Sequence, residues 1–187
     1  MFGFFAKRKL EGVTHRIYTS IVKQSRQPGF YLNCGVPDTP DGRFDMIVVH
    51  AFLILRRLKD ETGKPTDLAQ AIFDLMFANM DQNLREMGTG DIGVGKKIKA
   101  MAEAFYGRIK VYEAGLTGEA SLEEALQRNL YRKTNPGQVQ IEAMARYVQR
   151  EARQLSEMAE NKLLAGELTF GPAPDLGQEK NDRQRSA

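Results

Sequence analysis

The run Gly90-Asp91-Ile92-Gly93-Val94-Gly95-Lys96-Lys97 has the spacing of a phosphate-binding GxxxxGK loop, in which backbone amides cradle phosphate oxygens and the lysine neutralises them. Lys97 stands where such a loop needs a Ser or Thr to hold magnesium, and the residues before it repeat with a helical rather than a strand period. Nucleotide chemistry is therefore the weaker reading. A helix junction explains the same residues, with Gly88 suited to the left-handed position that ends one helix and Asp91 able to cap the next. A reduced anion site remains in Gly93, Gly95, Lys96 and Lys97, where free amides at a helix start and two ammonium groups could hold a lipid phosphate or a partner's carboxylate.

The other reactive residues do not assemble into a catalyst. Asp38, Asp41 and Asp45 lack the alternating oxygen ligands and the final Glu of a calcium loop, and capping, turns and an ion pair to Arg43 account for them. His50 stands inside an apolar run, the setting of a hydrogen-bonded core histidine. Cys34 is the only cysteine, which excludes an intramolecular disulfide and fits a reducing compartment. With His15 the only other histidine, no cluster has metal-ligand spacing, so no metal or cofactor is expected. The expectation is a binding protein, not an enzyme.

The elements that carry these residues are helical. From Phe44 to Leu55 nearly every position is apolar, so a helix there must be wrapped by others instead of lying on a surface. Thr39 as N-cap, Pro40 at the first helical position and Asp41 on the dipole would start it. Twelve helical residues rise about 18 Å, short of the ~30 Å hydrocarbon core, so it does not span a membrane. Other helices are expected over 14–27, 66–87, 90–115, 121–133 and 137–164. The fold class is all-α, a single domain of about six helices around a central one over 40–60. Residues 1–12 are expected to form a flexible basic and aromatic segment, 13–165 the helical domain and 166–187, rich in Gly, Pro and polar residues, a disordered tail.

Charge is uneven. The net charge of +3 is too small to announce nucleic acid, yet residues 1–60 hold ten Lys or Arg against five Asp or Glu. Three phenylalanines precede Lys7, Arg8 and Lys9, a pattern that suits an anionic membrane surface. In the third helix Ala69, Ile72, Phe73, Met76, Met80 and Leu84 form a core stripe, Leu68, Leu75, Phe77 and Met87 widen the apolar arc beyond one contact, and the methionines beside Phe73 and Phe77 suit irregular apolar partners. A broad buried face in a bundle would look the same.

FYLNCGVPDTPDGRFDMIVVH from Phe30 to His50 and AIFDLMFANMDQNLREMGTGDIGVGKKIKAMAEAFYGR from Ala71 to Arg108 resemble the ubiquinol-cytochrome c chaperone family, assembly factors of the cytochrome bc complex (complex III). The resemblance covers roughly Tyr18 to Tyr112, far more than one short motif. It implies a helical, non-catalytic chaperone that binds newly made cytochrome b, together with a small partner protein and the ribosome. With no organelle-targeting extension the expectation is a bacterial member, cytoplasmic and peripheral at the inner face of the inner membrane. On this reading Phe30, Tyr31, Val36, Pro37, Arg43 and Phe44 border a client groove with Phe73, Met76, Phe77, Met80 and Met87, while Lys7, Arg8, Lys9, Lys96 and Lys97 meet anionic lipid or RNA. The alternatives are a helical anion- or nucleotide-binding protein using Gly90–Lys97, or a ribosome- or RNA-associated module.

Overall fold

Thr39 opens the helix on which the others pack. Its hydroxyl accepts a hydrogen bond from the Gly42 amide at 3.2 Å, Pro40 follows at the first helical position, and Asp41 sits in the first turn, all as expected. The computed structural model describes the backbone of residues 2–59, 62–63 and 66–177, and side chains from Lys7 onward within those ranges. Among them, eight helices follow in chain order: α1 (Phe2–Ser25), α2 (Pro28–Leu32), α3 (Pro40–Arg57), α4 (Asp67–Glu86), α5 (Asp91–Thr117), α6 (Leu122–Asn129), α7 (Gln138–Glu157) and α8 (Glu160–Leu164). The fold is all-α.

α3 is the centre. Every residue from Asp45 to Ile54 is buried, because α1, α4 and α7 all pack on it, as a helix apolar on every side requires. α4 also lies along α1 and α5, and α6 joins α5 to α7. Two breaks turn the expected six helices into more. Pro28 starts a short turn of its own, and the last long helix stops at Met158 and Ala159, whose backbones are extended, before α8 begins. Thr66 and Ser121 cap α4 and α6 through their side chains, and Gly88 takes the expected left-handed conformation at φ 82°. Asp91 does not cap α5. Gly90 holds that position, and Asp91, one residue on, pairs with Arg85 of α4.

Gly42 lets α3 start beneath the loop that precedes it. A Cβ at this position would lie 2.0 Å from the Pro37 carbonyl oxygen. Gly42→Ala is therefore expected to lose about 2 kcal/mol in urea unfolding. Helix propensity alone predicts a gain of ~1 kcal/mol, so the sign of the change in midpoint checks the close approach.

Both ends differ from expectation. Residues 2–12 continue α1 as helix, with Lys7, Arg8 and Lys9 exposed and Leu10 packed on the core; the phenylalanine side chains before them lie outside the described residues. The tail expected to be free from Gly166 is seated across α1 and α7 as far as Pro174. Gln24 Nε2 donates to the Gly171 carbonyl at 2.7 Å, and the Gly171 amide donates to Glu151 Oε2 at 2.9 Å. Arg150 Nη2 donates to the Pro172 carbonyl at 2.6 Å, Asn33 Nδ2 to the Pro174 carbonyl at 3.2 Å, and Phe170 packs edge-on against His50. Residues 178–187 lie outside the described residues.

Candidate functional site

Three helices converge near Arg108 without closing. α3 supplies Arg43, Phe44 and Ile47 from its first two turns, and the end of α4 with its C-cap supplies Met80, Leu84 and Met87. α5 supplies Lys97, Met101 and Arg108. Phe44 and Ile47 are three apart, Met80, Leu84 and Met87 four and three apart, and Lys97, Met101 and Arg108 four and seven apart, spacings that keep each set on one helix face. Between them lies an open cavity of about 790 Å³. Ala100 and Ala104, a turn apart on α5, leave space that longer side chains would fill. The walls are largely apolar, with five cations, Arg26, Arg43, Lys97, Arg108 and Arg132, and two acids, Asp41 and Glu86, while Asp38 and Asp45 behind the lining pair with Arg43, Arg108 and Arg132.

The deepest of these cations is Arg108. It is 6% exposed and Asp45 3%, so their ion pair, Nη2 to Oδ1 at 3.0 Å, is withdrawn from water. Arg132 Nε reaches the second Asp45 oxygen at 3.3 Å. Burial pushes the Asp45 carboxyl above its ordinary range, although Arg108 and Arg132 pull it down. The Arg108 guanidinium lies 6.0 Å from the centroid of the Phe44 ring, and its buried Nη1 and the buried Asp45 Oδ1 beside it both lack a hydrogen-bond partner among the described residues. At the rim, Asp41 pairs with Lys133, whose hydrogen bond holds the Asp41 carboxyl below its ordinary range. Arg43 Nε meets Asp38 Oδ1 at 2.7 Å, the expected ion pair.

Of the residues expected to touch a client, Arg43, Phe44, Met80 and Met87 line this groove, joined by Lys97 from the expected anion set. Phe73 lines a separate apolar hollow of about 150 Å³ with Tyr106 and Ile109. Phe77 is buried in an aromatic stack with Phe73 and Phe105. Phe30, Val36 and Met76 are sealed in the core, so they present nothing to a partner. The Phe30–Pro37 stretch is absent from the groove lining: Phe30 packs edge-on against His50 and Tyr147, the Tyr31 hydroxyl, near Arg26 and Arg43, donates to the Ser25 carbonyl at 2.6 Å, and the Cys34 carbonyl accepts from Tyr131 at 2.8 Å. This loop is apolar because it is a core wedge. Ile47, Leu84, Met101, Arg108 and Arg132 also line the groove and are not among the residues expected to touch a client. The available signal was Arg108 itself, an arginine seven residues from Met101 on the apolar stripe of α5.

The glycine-rich run forms no phosphate loop. Asp91 to Lys97 are the first turns of α5, the Val94 amide already bonds the Gly90 carbonyl, and Asp91 places its own carboxylate at that helix start. Gly93 and Gly95 are helical, Lys96 is exposed, and Lys97 Nζ donates to Thr89 Oγ1 at 3.2 Å.

His50 is a satisfied core histidine, as expected. It is fully buried, with Nδ1 2.8 Å from the Met46 carbonyl and Nε2 2.7 Å from the Tyr147 hydroxyl.

Residues 32–170 match the family described as Ubiquinol-cytochrome C chaperone. Ubiquinol-cytochrome c reductase complex assembly factor 1 of Mus musculus is 29% identical over 170 residues, which are 90% of this chain and 58% of that protein. The Homo sapiens protein of the same name is 28% identical over 170 residues, 90% of this chain and 57% of its own. The chain thus spans a little over half the length of these two relatives. The crystal structure of the Cbp3 homolog from Brucella abortus matches with a TM-score of 0.79 at 35% identity, covering 92% of this chain and 98% of that one.

Proposed function

Since the chain belongs to the ubiquinol-cytochrome C chaperone family, we propose that it is a non-catalytic assembly factor of the cytochrome bc complex, and that it holds newly made cytochrome b by an apolar segment laid between α3, α4 and α5. The supporting observation is the groove. Its walls carry Phe44, Met80, Leu84, Met87 and Met101, and Met87 is 63% exposed. Flexible thioethers can follow the uneven surface of an apolar helix, and such a helix in groove contact is a common recognition mode. Cytochrome b consists of apolar helices made at a membrane, so its unassembled segments need this kind of cover.

The chaperone would work at the cytoplasmic face of a bacterial inner membrane. No helix among the described residues is long and apolar enough to cross one. Lys7, Arg8 and Lys9, exposed on the first turns of α1, would meet anionic lipid, each contributing ~1 kcal/mol near such a surface. A small partner protein and the ribosome complete the proposed set of contacts. The test is a photocrosslinker placed at Leu84 or Met101, and at Leu32, which is exposed outside the groove, in membranes making cytochrome b. Labelling from the two groove positions alone is the expected result. Equal labelling from Leu32, or none from the groove, would show that cytochrome b is held elsewhere.

A further inference from the structure

We propose that the whole solvent face of α1, from Lys7 through Lys23 to Arg26 just beyond its last turn, lies along an anionic bilayer and holds the mouth of the groove at the membrane surface. The membrane contact put forward above for Lys7, Arg8 and Lys9 is the premise; the new element is the rest of the helix and where the groove then opens.

α1 separates two kinds of residue. Val13, Ile17, Ile21 and Gln24 recur at intervals of four, four and three and are buried. The opposite side carries Arg8, His15, Thr19, Lys23 and Arg26, spaced seven, four, four and three apart and all exposed, with exposed Lys9 and Arg16 flanking the row. From Arg8 to Arg26 the row is about 27 Å long, at ~1.5 Å per residue.

This face lacks counter-charges. Residues 1–37 contain six Lys or Arg and one acid, Glu11, whereas residues 38–187 contain 21 Lys or Arg and 23 acids, so the positive excess of the chain is gathered on this helix. Among the described residues Lys7, Arg8, Lys9, Lys23 and Arg26 enter no ion pair, unlike Arg43, Arg108 and Arg132 of the groove. Arg16 gives an N–H to the Ala165 carbonyl, which leaves its charge uncompensated.

Shape and position favour lipid over nucleic acid. Cations along one side of one helix meet a plane, and the face exposes no aromatic ring for bases to stack on among the described residues, Tyr18 being buried. Phe2, Phe4 and Phe5 stand in sequence just ahead of it, as in basic interfacial helices. Arg26 also lines the groove, with Arg43 and Phe44, so the row ends at the groove's mouth. A chain resting on α1 therefore opens its groove at the bilayer, where an apolar segment leaves lipid.

The test is cosedimentation of the full chain with vesicles of phosphatidylcholine, alone or mixed with phosphatidylglycerol. No client is present, so the outcome does not depend on what the groove holds. The wild-type protein is expected to partition onto the mixed vesicles only, and less so as salt screens the contact. Lys23→Gln/Arg26→Gln should weaken partition about twentyfold, at about fivefold per cation, and Lys7→Gln/Arg8→Gln/Lys9→Gln about a hundredfold. Lys96→Gln/Lys99→Gln removes two exposed cations of α5 and should leave partition unchanged within about twofold, the loss being specific to the α1 face. Every substituted side chain is exposed, so the urea midpoints of all three variants should match the wild type. Undiminished partition of Lys23→Gln/Arg26→Gln overturns the proposal and leaves the N-terminal contact standing. No partition of the wild type overturns the membrane contact itself. An equal loss from the α5 pair makes the effect one of net charge and likewise overturns it, and poly(U) binding through Lys23 and Arg26 without partition onto vesicles assigns the face to RNA instead.

Discussion

Leu84→Asp and Met101→Asp are each expected to weaken capture of cytochrome b by about thirty- to a thousandfold, since truncating or charging a central contact typically costs 2–4 kcal/mol. Both side chains line the groove and both are only partly buried, so the new carboxylate can hydrate in the free protein and folding should change little. In the complex the same carboxylate would be trapped against an apolar segment, and its desolvation would fall entirely on binding. Met76→Asp is the contrasting change. Met76 is fully buried on the inner face of α4, so a charge there should unfold the protein, and a lost interaction would say nothing about the groove. Co-purification of cytochrome b from membranes, paired with urea midpoints for each variant, separates the two effects. Wild-type capture by a folded Leu84→Asp/Met101→Asp double variant would mean that the client lies on another surface.

Residue periodicity carried most of the fold. A run of apolar residues from Phe44 to Leu55 admits one solution, a wrapped helix, and Thr39-Pro40-Asp41 fixes where it begins. The groove was half legible. Excess Met and Phe on α4 pointed to the right helix, but periodicity cannot say which side of a wide apolar arc meets a neighbour. Met76 and Phe77 went to the interior, and Met80 and Met87 to the cavity wall. The cavity exists through what is small, Ala100 and Ala104, and small residues leave no signature of a void. Likewise the seated stretch from Gly166 to Pro174 uses backbone carbonyls as acceptors, and composition reports only side chains.

That seated stretch hangs on a histidine whose charge should set acid stability. Between about pH 6.5 and pH 4 the protein is expected to lose roughly 3 kcal/mol through His50 alone, at 1.36 kcal/mol per pKa unit. Burial lowers the imidazole from its ordinary 6.5 to about 4, against a smaller opposing effect of the Met46 carbonyl. The unfolded chain therefore takes up a proton near pH 6.5 that the folded chain refuses until near pH 4. The stabilisation is complete above pH 6.5, declines as the pH falls, and is exhausted near pH 4. Geometry gives the same sign. With Nδ1 donating to the Met46 carbonyl, Nε2 accepts from the Tyr147 hydroxyl, which itself accepts from Gln24 Nε2 at 3.0 Å. A proton on Nε2 would face that hydroxyl and leave the Tyr147 O–H to find another acceptor. Other groups contribute to the whole curve: Asp45, raised by burial, acts in the opposite direction, and Asp38 and Asp41, held low by Arg43 and Lys133, act in the same direction at lower pH. The difference between wild type and His50→Gln removes them, because glutamine keeps a donor and an acceptor but does not titrate. Urea unfolding at half-unit steps should show the two stability curves converging as the pH drops from 6.5 to 4, and parallel curves would mean that His50 does not stay neutral through folding. Gln24 also holds the Gly171 carbonyl and Phe170 lies on the His50 ring, so the Gly171 amide should lose its hydrogen-exchange protection in the same interval, before the core of α3 does.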